Sequence, residues 1–123
     1  MYILGHIPPT ISGTAEEYAT VYRALIAKYS DKIKGQFFGH THSDQLTVNT
    51  YPNTDKATGY GFICPSMSPL YVGAARSRVY KLAIGDENGV NDYTQYIFKD
   101  LSSKTANWSK EYKFREKYNL AKT

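Results

Sequence analysis

The chain has 123 residues, 41% of them hydrophobic and 21% charged, a balance that fits one globular domain and argues against intrinsic disorder. Its net charge of +4 is too mild for a nucleic-acid binder. The basic cluster Lys110, Lys113, Arg115, Lys117 and Lys122 is broken by Glu111 and Glu116, as on a solvated helix face, so no nucleic-acid partner is expected. The single cysteine, Cys64, rules out an internal disulfide framework and a cysteine-rich zinc site, and no run is long enough to cross a membrane as a helix.

In chain order, Tyr2 to Ile7 is a short apolar run stopped by Pro8-Pro9. It reads as a strand buried on both faces, with His6 at its C-terminal lip, where α/β proteins commonly meet ligands. The opening MYILGHIPP lacks a basic start and is no signal peptide; so abrupt a beginning is expected of a portion of something longer. Thr14 and Glu17 fit a capping box before an amphipathic helix over 15–30, with Tyr18, Tyr22, Leu25, Ile26 and Tyr29 at helical spacing. Lys34 to Gly39 reads as a second strand, ending in the turn Gly39-His40-Thr41-His42.

Gln45 to Thr50 alternates, with Leu46 and Val48 against Thr47 and Asn49, as in a one-sided strand. A polar loop over 51–61 leads to a strand from Tyr60 to Cys64, stopped by Pro65, with Cys64 expected as a small buried residue. Arg78 to Ile84 and Tyr93 to Phe98 read as a hairpin across GDENGVND, and Asn107 to Tyr118 as a closing helix. No repeat or linker interrupts residues 1–123, which are taken as one unit. The order predicts a layered α/β fold with a mixed sheet, parallel at its start and antiparallel in its continuation. The twelve tyrosines are expected as packed or half-buried walls, with ligand lining as the alternative; Tyr71 in SMSPLYVG is expected to pack, with lining of a lipid or base pocket as the alternative.

The histidines carry the chemistry. There are three, and all follow a glycine or a Gly-His-Thr turn at a strand end: His6, His40 and His42. Flanking glycines free the backbone to aim side chains, and the strands beneath hold it rigid. Parallel neighbouring strands would bring both lips to one rim. Imidazole is a common ligand for zinc, iron and manganese, so a metal centre is the expected role, with loop histidines that are both exposed, or one buried and one exposed, as the alternative.

GHIPP (5–9), GQFFGHTHSD (35–44), CPSMSP (64–69), RVYKL (78–82) and the closing Trp108 to Tyr118 segment occur in an order that resembles the acid-sphingomyelinase-like branch of the calcineurin-like metallophosphoesterases. The resemblance covers nearly the whole chain. It implies part of an α/β/β/α sandwich and metal-dependent phosphodiester hydrolysis, with two Zn2+ ions about 3.5–4 Å apart, other divalent transition metals being alternatives. It also implies His6 and His40 on one ion and His42 on the other. Asp44 has no ligand role in the pattern and reads as either a partner to an imidazole N–H or a loop cap.

The family pattern begins with D-x-H, G-D and G-N-H-[DE], none of which precedes GHIPP here, and with them are missing the bridging aspartate, the asparagine ligand and the histidine that protonates the leaving group. The chain is therefore expected to be the C-terminal portion of a larger catalytic domain. In isolation it would be inactive, and it would associate with the missing N-terminal half or with itself. The alternative is a non-catalytic metal-binding or interaction module that retains the fold. The branch implies a phosphodiester substrate of lipid or nucleotide type and a secreted or lysosomal parent protein, which the Asn107-Trp108-Ser109 sequon would suit.

Overall fold

A computed structural model describes residues 1–51, 54–85, 89–102, 104–105 and 107–120. The backbone divides into two compact units, residues 1–64 and residues 65–123. Helices and strands of both kinds are present, with one mixed and one antiparallel sheet, as an α/β fold requires.

The first unit holds β1 (Tyr2–Leu4), α1 (Glu16–Lys28), β2 (Gly35–Phe38), β3 (Gln45–Thr50) and β4 (Ala57–Ile63). The sheet order is β1-β2-β4-β3, with β1, β2 and β4 parallel and β3 antiparallel to β4. Residues 52–53, part of the expected loop, lie outside the described residues. Thr14 does not cap α1; the cap is Ala15, without a side-chain hydrogen bond. Instead Glu16 in the first turn binds Thr20 and Arg23 along the exposed face.

Strand alternation sends neighbouring residues to opposite faces. The register puts Ile3, Gln36, Gly61, Thr47 and Asn49 on the face beneath α1. There the Tyr22 hydroxyl donates to Gln36 Oε1 at 2.6 Å, Asn49 Nδ2 donates to the same oxygen, and Gln36 Nε2 reaches the Tyr60 carbonyl. Gln36 is 1% exposed and Asn49 4%, so this polar cluster is buried and hydrogen-bonded, as burial demands. Ile26 packs against Gly59, where a Cβ would come within 3.2 Å of its methyl group. Of the five residues expected to form the helix's apolar face, Ile26 is buried and Tyr22 half-buried, while Tyr18, Leu25 and Tyr29 are exposed; Ala19 and Ala27 complete the contact face.

The opposite face reverses the expected side of β3. Leu46 and Val48 are exposed, and Thr47 and Asn49 turn inward. The alternation is as expected, but Gln36 and Tyr22 offer Asn49 a polar partner under the helix, so the apolar set lies outside. Across this outer face run Tyr2, Phe37, Phe62 and Tyr60 in successive ring contacts of 6.1, 5.9 and 5.4 Å. Leu4 is 79% exposed, so β1 is not buried on both faces.

The second unit holds β5 (Ala75–Ala83), β6 (Gly89–Phe98), β7 (Ser109–Lys113) and α2 (Phe114–Lys117), with antiparallel order β5-β6-β7. The expected hairpin forms, from Ala75↔Phe98 to Ala83↔Gly89; residues 86–88 of its connection lie outside the described residues. The closing helix is mostly not a helix. Ser109–Lys113 pairs with β6, and only Phe114–Lys117 is helical.

The reason is a polar network that only the strand can reach. Glu111 accepts from Arg76 through both oxygens and from Gln95 Nε2 at 2.8 Å. Gln95 Oε1 accepts from Arg78 Nε at 2.7 Å and from the Tyr112 hydroxyl. The Arg78 guanidinium also lies over the Tyr93 ring at 4.4 Å. The Glu111 side chain is 27% exposed, so it is not the solvated helix charge its spacing predicts; Lys122 of the same cluster lies outside the described residues.

Candidate metal and phosphoester site

The three parallel strands of the first unit end side by side. His6 follows β1 by two residues, His40 follows β2 by two, and Cys64 follows β4 directly. The ladder continues past the formal strand ends: Gly5 N–H donates to the Phe37 carbonyl at 3.0 Å, Gly39 N–H to the His6 carbonyl at 2.9 Å, and Cys64 N–H to the Phe38 carbonyl at 2.8 Å. These bonds fix the backbone under His6 and His40. The parallel arrangement thus brings residues from distant parts of the sequence to one rim.

His40 Nδ1 lies 3.4 Å from His6 Nε2, with the rings edge-to-face at 5.3 Å between centroids. Both side chains are exposed. Two nitrogens each about 2.0–2.1 Å from one tetrahedral zinc ion lie about 3.3–3.4 Å apart, so the pair has the spacing of two ligands to a single ion. The same spacing serves a hydrogen bond between one protonated and one free ring nitrogen.

His40 and His42 have φ of 71° and 58°, both in the left-handed region. Non-glycine residues visit it at a cost, and held instances concentrate at functional sites. The glycines do a different job from the one expected of them: neither Gly5 nor Gly39 has positive φ, and the histidines themselves bear the unusual backbone. Gly5 is a close-approach residue, where a Cβ would stand 3.1 Å from the Phe38 ring.

The loop is braced from within. Thr41 N–H donates to the Gly39 carbonyl, the Ser43 hydroxyl to the Thr41 carbonyl, and the Thr41 hydroxyl to Gln45 Oε1. His42 is half-buried with Nδ1 shielded from solvent, and Asp44 is exposed.

The structure thus joins His6 to His40. Among the described residues, no group of three or more histidine, cysteine, aspartate or glutamate side chains is gathered to hold an ion. The two joined imidazoles fit two positions of a metal site and leave its remaining positions to other donors. Cys64 at the same rim is only half-buried, not the fully buried residue that its sequence context predicts; its place is legible only once β4 is known to lie beside β2. Tyr71, expected more to pack than to line a ligand, is 86% exposed with φ 74°.

No family model matches the chain. Individual proteins do. Sphingomyelin phosphodiesterase 1 of Caenorhabditis elegans is 30% identical over 98% of this chain, and human sphingomyelin phosphodiesterase is 30% identical over all of it. The chain is similar to sphingomyelin phosphodiesterases. A mouse acid sphingomyelinase-like phosphodiesterase 3b is 26% identical over 98% of the chain. The likeness therefore runs through both units. The chain spans about a fifth of the length of the curated sphingomyelin phosphodiesterases it matches, 22% of the nematode protein and 20% of the human one.

Proposed function

We propose that the chain is the C-terminal portion of a calcineurin-like metallophosphoesterase catalytic domain that hydrolyses phosphodiesters of the sphingomyelin type. In this reading His6 and His40 hold one ion, His42 holds a second, and the remaining ligands come from polypeptide outside the chain. The observation that carries it is the convergence of His6 and His40, 34 residues apart in sequence, to 3.4 Å at a shared rim of parallel strands. The left-handed backbone at His40 and His42 supports it, because such strain persists where the surroundings enforce it. A divalent ion held there would supply Lewis-acid polarisation of a phosphoryl oxygen and an activated water. The chain's own part is to orient the imidazoles: the Gly39–His6 and Gly5–Phe37 backbone bonds set their separation, and the Thr41–Ser43 bonds set the turn between His40 and His42.

The partner reading follows from the outer face of the first sheet. Leu4, Leu46, Val48 and Tyr60 are all more than a third exposed there, an apolar surface of the kind that marks an interface. We assign it to the N-terminal half of the domain, or to a second copy when that half is lacking. A lipid phosphodiester is the favoured substrate, because the similar proteins are named for sphingomyelin; a nucleotide-type diester is the alternative. A secreted or lysosomal setting is proposed on the branch resemblance, and the exposed Asn107 of the sequon is compatible with it.

The test is reconstitution. The chain is co-expressed with a polypeptide carrying the D-x-H and G-N-H-D motifs, and hydrolysis of bis(4-nitrophenyl) phosphate with zinc is followed. Activity is expected only with both parts and is lost in H6A, H40A and H42A. Activity that survives all three substitutions overturns the reading; a stable complex without hydrolysis would favour the non-catalytic module.

A further inference from the structure

A cavity of about 500 Å3 opens in the second unit, and every residue of its wall belongs to 65–123. This volume is within the range of small-molecule sites, roughly 300–1,000 Å3. The register explains how it forms. Val79, Thr94 and Lys113 lie in one row across β5, β6 and β7, and Lys81 is paired with Asp92 in the same region of the sheet. Arg115, Glu116 and Leu120, from α2 and the turn after it, close the other side.

The charges on the wall are unequally committed. Asp92 Oδ1 already accepts two backbone N–H groups, from Tyr93 at 2.9 Å and from Arg115 at 3.1 Å, and so fastens the start of α2 to β6. Glu116 already faces two cations, Lys113 at 3.5 Å and Lys110 at 3.9 Å. The Arg115 guanidinium, by contrast, has five donors and gives one of them to the Asn91 carbonyl at 3.3 Å. Lys81 is exposed at the rim. The wall therefore sets Lys81, Lys113 and Arg115 against Asp92 and Glu116, with Lys113 shared with Glu116 and each cation keeping further N–H donors. Beside them, Val79 is 62% exposed and Leu120 44% exposed, an apolar contribution that a hydrated inorganic ion does not use.

We propose that this cavity binds a small organic phosphate monoester, its dianion held by Lys81, Lys113 and Arg115 and its apolar body against Val79 and Leu120. Charge-assisted bonds from a guanidinium and two ammonium groups suit a phosphate dianion better than a single carboxylate. This site is independent of the histidine rim and of the activity proposed for it.

The experiment is an NMR titration of the 15N-labelled full chain with phenyl phosphate, in EDTA so that no metal on the histidines contributes. Inorganic phosphate and phenol serve as separate arms. Saturable shifts are expected at Lys81, Thr94 and residues 113–116, with inorganic phosphate at least five-fold weaker and phenol without effect. K81Q and K113Q each weaken binding at least three-fold and leave the rest of the spectrum in place. V79S, which keeps every cation, weakens phenyl phosphate but not inorganic phosphate. Absence of saturable shifts, shifts centred on His6 and His40, equal affinity for phenyl and inorganic phosphate, or variants that bind as the parent does would each overturn the proposal.

Discussion

Two polar clusters, one in each unit, differ in character. In the second unit, Arg76, Arg78, Gln95, Glu111 and Tyr112 close on one another across three strands, with Gln95 only 1% exposed. In the first, His6 and His40 meet at strand ends, both rings open to solvent, and His40 and His42 hold backbone angles that cost energy. A network that satisfies itself holds a fold together. Strained groups assembled at a rim and left open to solvent are available to a ligand. On the proposed function the closed network serves the fold and the open rim the chemistry, and substitutions on each side should behave accordingly.

The largest expected effect is in the closed network. E111A leaves Arg76 and Gln95 without their shared carboxylate and should cost about 2 kcal/mol, read as a lower urea midpoint at unchanged slope. A loss below about 0.5 kcal/mol would show that the network is dispensable. At the rim the sign reverses. H40G releases a left-handed side chain and should raise stability by up to about 1 kcal/mol while abolishing metal uptake. Clear destabilisation by H40G would mean that His40 is structural.

The polar cluster beneath α1 has its own signature. Burial pushes the Tyr22 hydroxyl up to about 12, so it keeps its proton in the folded state after the unfolded chain has lost it. The stabilisation is complete below the ordinary tyrosine value near 10 and is lost as pH rises toward about 12. Because Tyr22 is only half-buried the effect is modest; Y22F should flatten the decline in stability over that window. The smallest effect on stability belongs to the outer sheet face. L46S and V48S should each change it by less than about 0.5 kcal/mol, yet reduce association seen by light scattering. A monodisperse parent chain, or association unchanged by both substitutions, removes the interface assignment.

Much of the histidine rim was legible in the sequence because Gly-His at two strand ends, joined by a helical segment, implies parallel neighbours with adjacent lips. The mixed parallel and antiparallel order was legible for the same reason. The side to which β3 turns was not, since alternation gives a period but no direction; a buried Gln36–Asn49–Tyr22 cluster decided it. The end of the chain misleads for a related reason. Ser109–Lys113 has helix-compatible charges, but its Glu111 answers Arg76 and Gln95 on other strands, and sequence-local spacing cannot register partners 35 and 16 residues away.

The most direct measurement is the metal content of the purified chain after dialysis against trace zinc, for the parent and for H6A and H40A. Less than one equivalent in the parent and none in either variant is expected, because in the proposed reading the two joined imidazoles are part of a site whose other ligands come from polypeptide outside the chain. Near two equivalents in the parent, or metal retained in both variants, would contradict it.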